Sequence, residues 1–404
     1  GFPFTADSKI NTSIAAGDID GDGLKEIVFG TTAGMLYALN NTGITHLVYN
    51  QNLSIIDVPV LCDLDQDNDL EVVFIAGNDS TSMLYIIQDN GDDYPGFPID
   101  LSVNVIVGPA IADLDNNMVM DIVITSSDSN IFIINSDGVF SNDFSFTASA
   151  EFTSPPALVD LDGDQNLEII AGTIDGNLYV LHNNGTIMSS SSFNSPIQGI
   201  SIADIDNNGN LEIIFSTEDG FVHAWNPITE TESPGWPINH GIEAISEPIM
   251  LDLDNDSDLE IVHVTFNGVI AVTHHNGIAY DNFPASFDNN ISATPLVGDL
   301  DNDGDYELII GSSTDLQVID IVQQSGDRYA WSAYRSNNYR NGFFDVTVAS
   351  IANDSNNLPL QYELGKNYPN PFNPYTTFSY SIPKRDRVII NIFDLKGRII
   401  KTLL

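Results

Sequence analysis

The sequence is nearly empty of positive charge. It carries 57 Asp and Glu against 12 Lys and Arg, for a net charge of −45, and not one Lys or Arg falls between Lys25 and Arg328. A stretch of that kind cannot neutralise phosphates, which excludes nucleic-acid binding. It also lacks the guanidinium forks that grip carboxylate and phosphate ligands. Cysteine is almost absent: Cys62 stands alone, so no disulfide can form within the chain. No apolar run reaches the roughly 18 residues expected of a membrane-spanning helix, so no transmembrane segment is expected. No basic-then-apolar leader opens the chain at Gly1, and the sequence reads as a mature or excised piece. The fingerprints of common catalysts are missing too: nucleophile elbow, HExxH, CxxC, P-loop and GxGxxG.

What is present is acid, in a pattern. "GDIDGDGLKEIVFG" (Gly17–Gly30) recurs with the aligned aspartates Asp18, Asp63, Asp113, Asp160, Asp204, Asp252 and Asp299, at intervals of 44 to 50 residues. A near-constant period in that range marks an array or a propeller. In each repeat a short apolar run leads into the acidic loop, and Pro59, Pro109, Pro156, Pro248 and Pro295 sit four residues ahead of it. Proline is tolerated there because the first residue of a strand need not donate to the ladder. A β-branched run follows, such as "EIIAG" or "ELIIG", and then in several repeats a hairpin pair: Asp175-Gly176, Asp219-Gly220, Asn267-Gly268. A third run ("NLYVLHNNG") and a less regular fourth segment complete the unit. Helical periodicity is absent. The expected fold class is therefore all-β, a seven-bladed β-propeller of about four strands per blade over residues 1–344. "GFP" at Gly1–Pro3 resembles the blade-end segments Gly96–Pro98, Gly235–Pro237 and Asn282–Pro284. The first segment is thus expected to complete the last blade and close the ring, the alternative being a remnant of an eighth repeat.

The loops hold oxygen donors at positions 1, 3, 5 and 9. They are Asp18, Asp20, Asp22 and Glu26; Asp63, Asp65, Asp67 and Glu71; Asp113, Asp115, Asn117 and Asp121; Asp160, Asp162, Asp164 and Glu168; Asp204, Asp206, Asn208 and Glu212; Asp252, Asp254, Asp256 and Glu260; and Asp299, Asp301, Asp303 and Glu307. Two like charges about 4 Å apart repel by about 1 kcal/mol in water and about 4 kcal/mol at an effective dielectric near 20. A chain that gathers this repulsion seven times is built to hold cations. Hard oxygens on a tight loop suit Ca²⁺, with up to seven sites, better than Mg²⁺. Zn²⁺ would call for His or Cys, and the loops contain neither. Position 6 must turn sharply, which favours Gly or Asn: Gly23, Asn68, Gly209 and Gly304 suit it, Ser257 is acceptable, Gln165 is less natural and Met118 fits worst. The third loop is expected to bind most weakly.

"DIDGDGLKE" followed by "IVFG", repeated seven times over about residues 1–344, resembles the FG-GAP/VCBS repeat family, which also builds the propeller of integrin α subunits. The resemblance implies a calcium loop between the first two strands of each blade and a propeller that serves as a binding or adhesion platform. "WSAYRSNNYRNGFF" (Trp331–Phe344) resembles a segment that closes bacterial propellers, and is expected to be a latch whose arginines pair with nearby acids. Residues 345–361 lose the repeat and read as a linker. Residues 362–404 carry Asn367-Tyr368-Pro369-Asn370-Pro371-Phe372-Asn373-Pro374, "TTFSYSIP" and "IFDLKGR", and resemble part of the C-terminal sorting domain of the type IX secretion system, with two strands of a small sandwich. That implies a partner in the secretion machinery and a secreted or cell-surface location.

Two function classes remain. One is a noncatalytic binding or scaffold module with an extracellular protein or glycan ligand. The other is a calcium-dependent polysaccharide lyase or glycoside hydrolase, against which the missing cations and scattered histidines count. Trp225, Trp236, Tyr280 and Phe283 are expected to be inter-blade core rather than sugar platforms.

Overall fold

The β-branched run after each acidic loop forms a strand buried on both faces. Glu71–Gly77 has all seven residues buried, and Glu168–Gly172 and Glu260–Val264 are buried throughout. Such strands read as continuous apolar runs because each sheet is covered on both sides. In this computed structural model the structure describes residues 2–345 except 79, 242–245, 288, 292, 301–302, 313–314, 324, 327 and 329. Beyond these it describes the backbone of 363–364, 380–381, 390–393 and 399–403. The chain divides into two units, Gly1–Ala349 and Ser350–Leu404.

Among the described residues of the first unit there is no helix, and the strands form seven antiparallel sheets in chain order. Their innermost strands are Ala15–Gly17, Ser54–Cys62, Ala110–Ala112, Ala157–Val159, Ile197–Ala203, Ile249–Leu251 and Leu296–Gly298. Each is followed by an acidic loop and then by the second strand, which pairs back on it. Among the described residues the expected four strands appear in four sheets; the third and seventh have three, and the fifth has five, two short strands both pairing with its third. In the third, the fourth segment makes only isolated bridges, Asn130 with Thr147 and Ile134 with Phe140. The N-terminal segment does not pair with the last sheet's third strand, Leu316–Ile321, among the described residues. Phe4 instead packs its ring on Tyr37 and Phe29 of the first sheet, at 5.1 and 6.0 Å.

Aromatic cross-strand pairs fill the seams between sheets. Phe74 stacks on Tyr85 at 5.0 Å, Phe29 on Tyr37 at 5.6 Å and Phe215 on His223 at 4.7 Å. A ring from the segment just ahead packs on each pair: Tyr49 and Phe193 from the preceding repeats and Phe4 from the N-terminal segment. Such contacts are worth about 0.5–1.5 kcal/mol each beyond the area they bury. Trp225, Trp236 and Tyr280 are buried in the core and Phe283 packs against it, as expected.

All seven repeats line one central cavity of about 590 Å³, through Lys9, Asp57, Val107, Thr153, Gln198, Glu247 and Thr294. These residues precede the inner strands or, for Asp57 and Gln198, lie in their first halves, so the cavity lies at the strand ends away from the acidic loops. Tyr334 of the Trp331–Phe344 segment lines the cavity too, and that segment is held mainly by main-chain groups, its Arg335 and Arg340 side chains donating to carbonyls and not to acids. Main-chain N–H groups of Ala16, Leu61, Ile111, Leu158 and Met250 donate to the carbonyls of Asn338, Tyr339, Asn341, Gly342 and Trp331. Arg335, 1% exposed, donates to the carbonyls of Pro156 and Pro109 at 3.1 and 2.5 Å. Arg340 donates to Ile14 O and Tyr334 O, and the Tyr334 hydroxyl donates to Asp57. The arginines thus serve carbonyls from several sheets: an inner strand leaves main-chain groups unpaired, and a single short segment satisfies them.

Glu247 accepts from Trp331 Nε1 and from Arg335 N at the base of the cavity. Burial pushes its carboxyl up to about 7, against the pull of the Arg335 charge and these hydrogen bonds. A carboxyl raised on folding contributes stability that is whole below its unfolded value and is lost as pH rises through the folded one. Titrating unfolding free energy in saturating calcium should show wild type losing up to about 3 kcal/mol relative to Glu247→Gln between pH 4.5 and 8. Parallel curves would remove Glu247 from the account.

In the second unit, Glu363–Leu364 pairs with Tyr380–Ser381, and Ile390–Phe393 with Ile399–Leu403, both antiparallel. The motif at 367–374 lies outside the described residues.

Candidate functional site

Each acidic loop repeats one hydrogen-bond scheme. The position-1 carboxylate accepts from the main chain of position 6: Asp18 from Gly23 at 2.8 Å, Asp63 from Asn68 at 3.1 Å, Asp113 from Met118 at 2.7 Å, Asp160 from Gln165 at 3.1 Å. Asp204, Asp252 and Asp299 do the same for Gly209, Ser257 and Gly304. Position 5 accepts from position 7 in all seven, as in Asp22 with Leu24 at 2.8 Å and Asn117 with Val119 at 2.7 Å. Position 9 opens the second strand or, in the seventh sheet, lies just inside it. It accepts from the N–H of position 2, from Glu26 with Ile19 at 3.1 Å to Glu307 with Leu300 at 2.6 Å. Asp301 lies outside the described residues.

The turn requirement is met at every position 6. Its φ is positive in all seven loops, from 69° at Met118 and 73° at Gln165 to 95° at Gly304. Glycine adopts this conformation freely and other residues pay strain for it.

One carboxylate oxygen holds the loop, which leaves others turned inward. Asp18 Oδ1, Asp63 Oδ1 and Asp252 Oδ1 at position 1, and Asp206 Oδ1 and Asp254 Oδ1 at position 3, are buried with no hydrogen-bond partner. Asp18, Asp20 and Asp22 bring donor atoms within 4.8 Å of one another, as do Asp63, Asp65 and Glu71, and Asp113, Asp115 and Asp121. Burial, with the neighbouring charges behind it, pushes Glu71 and Glu212 up to about 7, Glu260 to about 8 and Asp121 to about 6. Glu26, Glu168, Asp65, Asp252 and Asp254 are raised for the same first cause. Without a counter-charge, these groups resist ionisation.

The loops are not free of histidine once folded. His182 Nδ1 lies 3.1 Å from Glu168 Oε1, and His274 Nδ1 lies 2.9 Å from Glu260 Oε1. Each joins a metal-competent trio, Asp162–Glu168–His182 and Asp254–Glu260–His274. His46 Nδ1 stands 3.5 Å from Asp20. The expectation that the loops offer no imidazole is therefore corrected. Antiparallel pairing sets the residue after the third strand beside position 9: Ile169 faces Leu181 and Ile261 faces Thr273, so the next pairs along are Glu168 with His182 and Glu260 with His274. The equivalent residue in the fifth repeat is Asn226, which donates to Glu212. The sequence signal was the residue just ahead of each "NNG" or "HNG" turn.

Residues 160–215, spanning the fourth loop to the second strand of the fifth sheet, match the model of the FG-GAP-like repeat. No curated protein matches the chain. Among solved structures the chain is similar to BamB from Moraxella catarrhalis (18% identity, TM-score 0.55), over 78% of this chain and 84% of that one. It is also similar to BBS1N in complex with ARL6DN (15%, TM-score 0.53, 79% and 94% covered) and to Saccharomyces cerevisiae Sqt1 (14%, TM-score 0.55, 73% and 80%). At these identities the likeness shows the fold alone, an all-β, propeller-like repeat architecture.

Met118→Gly should relieve the strained turn of the third loop and raise stability by about 1 kcal/mol, while Gly304→Ala should lower it by a similar amount. Urea unfolding of both variants checks this, and a Met118→Gly variant no more stable than wild type would contradict the reading of position 6.

Proposed function

We propose that the seven sheets are the blades of a closed propeller and that its acidic loops hold Ca²⁺. In this reading it is a noncatalytic binding or scaffold module of a secreted or cell-surface protein. The observation that carries the reading is the set of buried, unpartnered carboxylate oxygens at positions 1 and 3. An orphaned buried acceptor costs stability unless something binds it, and hard oxygens at this spacing suit calcium. Positions 1, 3 and 5 would supply side-chain oxygens, position 7 its carbonyl, and position 9 the carboxylate oxygen not engaged with position 2. The ion would supply charge, not chemistry: seven Ca²⁺ offset 14 of the 26 carboxylates at these positions.

A protein partner fits the fold class, since the similar BBS1N was solved in complex with ARL6DN; a glycan is the other ligand class proposed. The contact surface is the face away from the loops, where the central cavity opens among Asn11, Thr12, Thr153 and Gln198, together with the fourth segments. Residues 362–404 are proposed to address the chain to the type IX secretion machinery, on the strength of the 367–374 motif and "IFDLKGR".

Calcium titration calorimetry on the ion-stripped chain tests the reading, with several equivalents of Ca²⁺ expected per chain. Asp162→Ala should remove more of the calcium-dependent stability than Asp115→Ala, because the third loop already lacks one carboxylate at Asn117. Equal losses would contradict the ranking. Release of unsaturated or reducing-end products from a polysaccharide panel would overturn the noncatalytic reading.

A further inference from the structure

The register of the second and third strands sets one residue opposite position 9 of every loop. Four repeats place an amide there, Asn40, Gln88, Asn135 and Asn226, and the seventh places Asp320. The fourth and sixth place His182 and His274. A side chain with an oxygen therefore serves in five repeats, and imidazole, which offers nitrogen alone, stands in two. Of those two, the sixth loop is the one that also holds buried, unpartnered carboxylate oxygens.

Asp254, Glu260 and His274 each bring a donor atom within 4.8 Å of the other two. His274 Nδ1 lies 2.9 Å from Glu260 Oε1. Neighbouring donors on an ion with bonds of about 2.1 Å stand about 3.0 Å apart in a six-coordinate shell. Glu260 is 0% exposed, and its other oxygen accepts from Leu253 N at 2.8 Å. Asp252 is 2% exposed with Oδ1 buried and unpartnered, and Asp254 Oδ1 is unpartnered in the same way. A hydrogen bond between His274 and Glu260 serves those two groups and leaves both aspartate oxygens unmet; a cation serves all four.

The imidazole is also held in place. Its ring lies against Tyr280, with centroids 5.1 Å apart and a tilt of 37°. Tyr280 is buried in turn and donates its hydroxyl to Gln323 Oε1 at 3.2 Å. Neutral imidazole ligates through Nδ1 when its proton sits on Nε2. Calcium selects oxygen donors, whereas imidazole suits zinc and its first-row neighbours. The orphaned oxygens thus call for a cation, and the nitrogen beside them decides which kind.

Resting on the reading of the loops as cation sites, we propose that the sixth loop is a mixed nitrogen–oxygen site for Zn²⁺. His274, Glu260, Asp252 and Asp254 hold that ion in preference to Ca²⁺, and the loops faced by an amide take Ca²⁺.

The test uses the full chain, stripped of ions and then equilibrated with excess Ca²⁺ before limiting Zn²⁺ is added. Wild type should retain Zn²⁺ against that excess. His274→Asn installs the amide that the fifth repeat uses, so folding and the hydrogen bond to Glu260 should persist. The variant should hold one equivalent less Zn²⁺ and one more Ca²⁺ than wild type. Its sixth loop should lose more than about 100-fold in Zn²⁺ affinity, beyond the loss that an outer-shell change causes. Zinc-edge X-ray absorption on wild type should show imidazole nitrogen among oxygen donors. Equal Zn²⁺ retention in wild type and variant, a shell of oxygen alone, or no Zn²⁺ held beside bound Ca²⁺ would overturn this proposal and leave the calcium reading standing. Zn²⁺ held through His274 with no Ca²⁺ bound anywhere would support the site and overturn the calcium reading. Uptake of neither ion would overturn both.

Discussion

The structure depends on how one aspartate divides its two oxygens. At position 1 of every loop, one oxygen accepts the main-chain N–H five residues on and so fixes the left-handed turn. In the first, second and sixth loops the other oxygen is turned inward, buried and unpartnered; Asp252 is only 2% exposed. That turn lets the second strand fold back on the inner strand, and position 9 closes the loop from below through the N–H of position 2. The loop is therefore a structural joint and a concentration of negative charge at once. Hydrogen bonding accounts for the joint, and a cation is what the charge calls for.

The second constraint sits at the axis. Inner strands leave main-chain groups with nothing to pair, and the Trp331–Phe344 segment meets them from the first, second, third, fourth and sixth sheets. Arg335 spans the carbonyls before the third and fourth inner strands, while Arg328 reaches Asp204 of the fifth loop and Ser257 of the sixth. Sheets far apart in sequence are thus tied by one short segment, and among the described residues no strand passes between the chain's first and last repeats. The cavity above it is polar and lined by every repeat, and so offers one shared surface on the face opposite the loops.

Much of this was legible because it is local. The spacing 1, 3, 5 and 9, the glycine-like turn at position 6 and the strand before and after each loop all fall within about fifteen residues. Even the misfit at Met118 shows as a strained φ of 69° in the expected place. What escaped was set by register or by long-range contact. His182 and His274 reach the loops only because antiparallel pairing lays the third strand beside the second. The path of Trp331–Phe344 follows from main-chain hydrogen bonds, which side-chain identity does not encode, so its arginines were expected to seek acids and instead serve carbonyls. The fourth segments carry little patterning, and among the described residues the third, fifth and seventh sheets depart from four strands there.

The central claim, that calcium in the loops holds the propeller together, is tested most directly by thermal unfolding of the full chain with calcium and with a chelator. Each occupied site adds about 2.7 kcal/mol when free calcium exceeds its Kd a hundredfold, so chelation should lower the midpoint by many degrees. An unchanged midpoint would contradict the account.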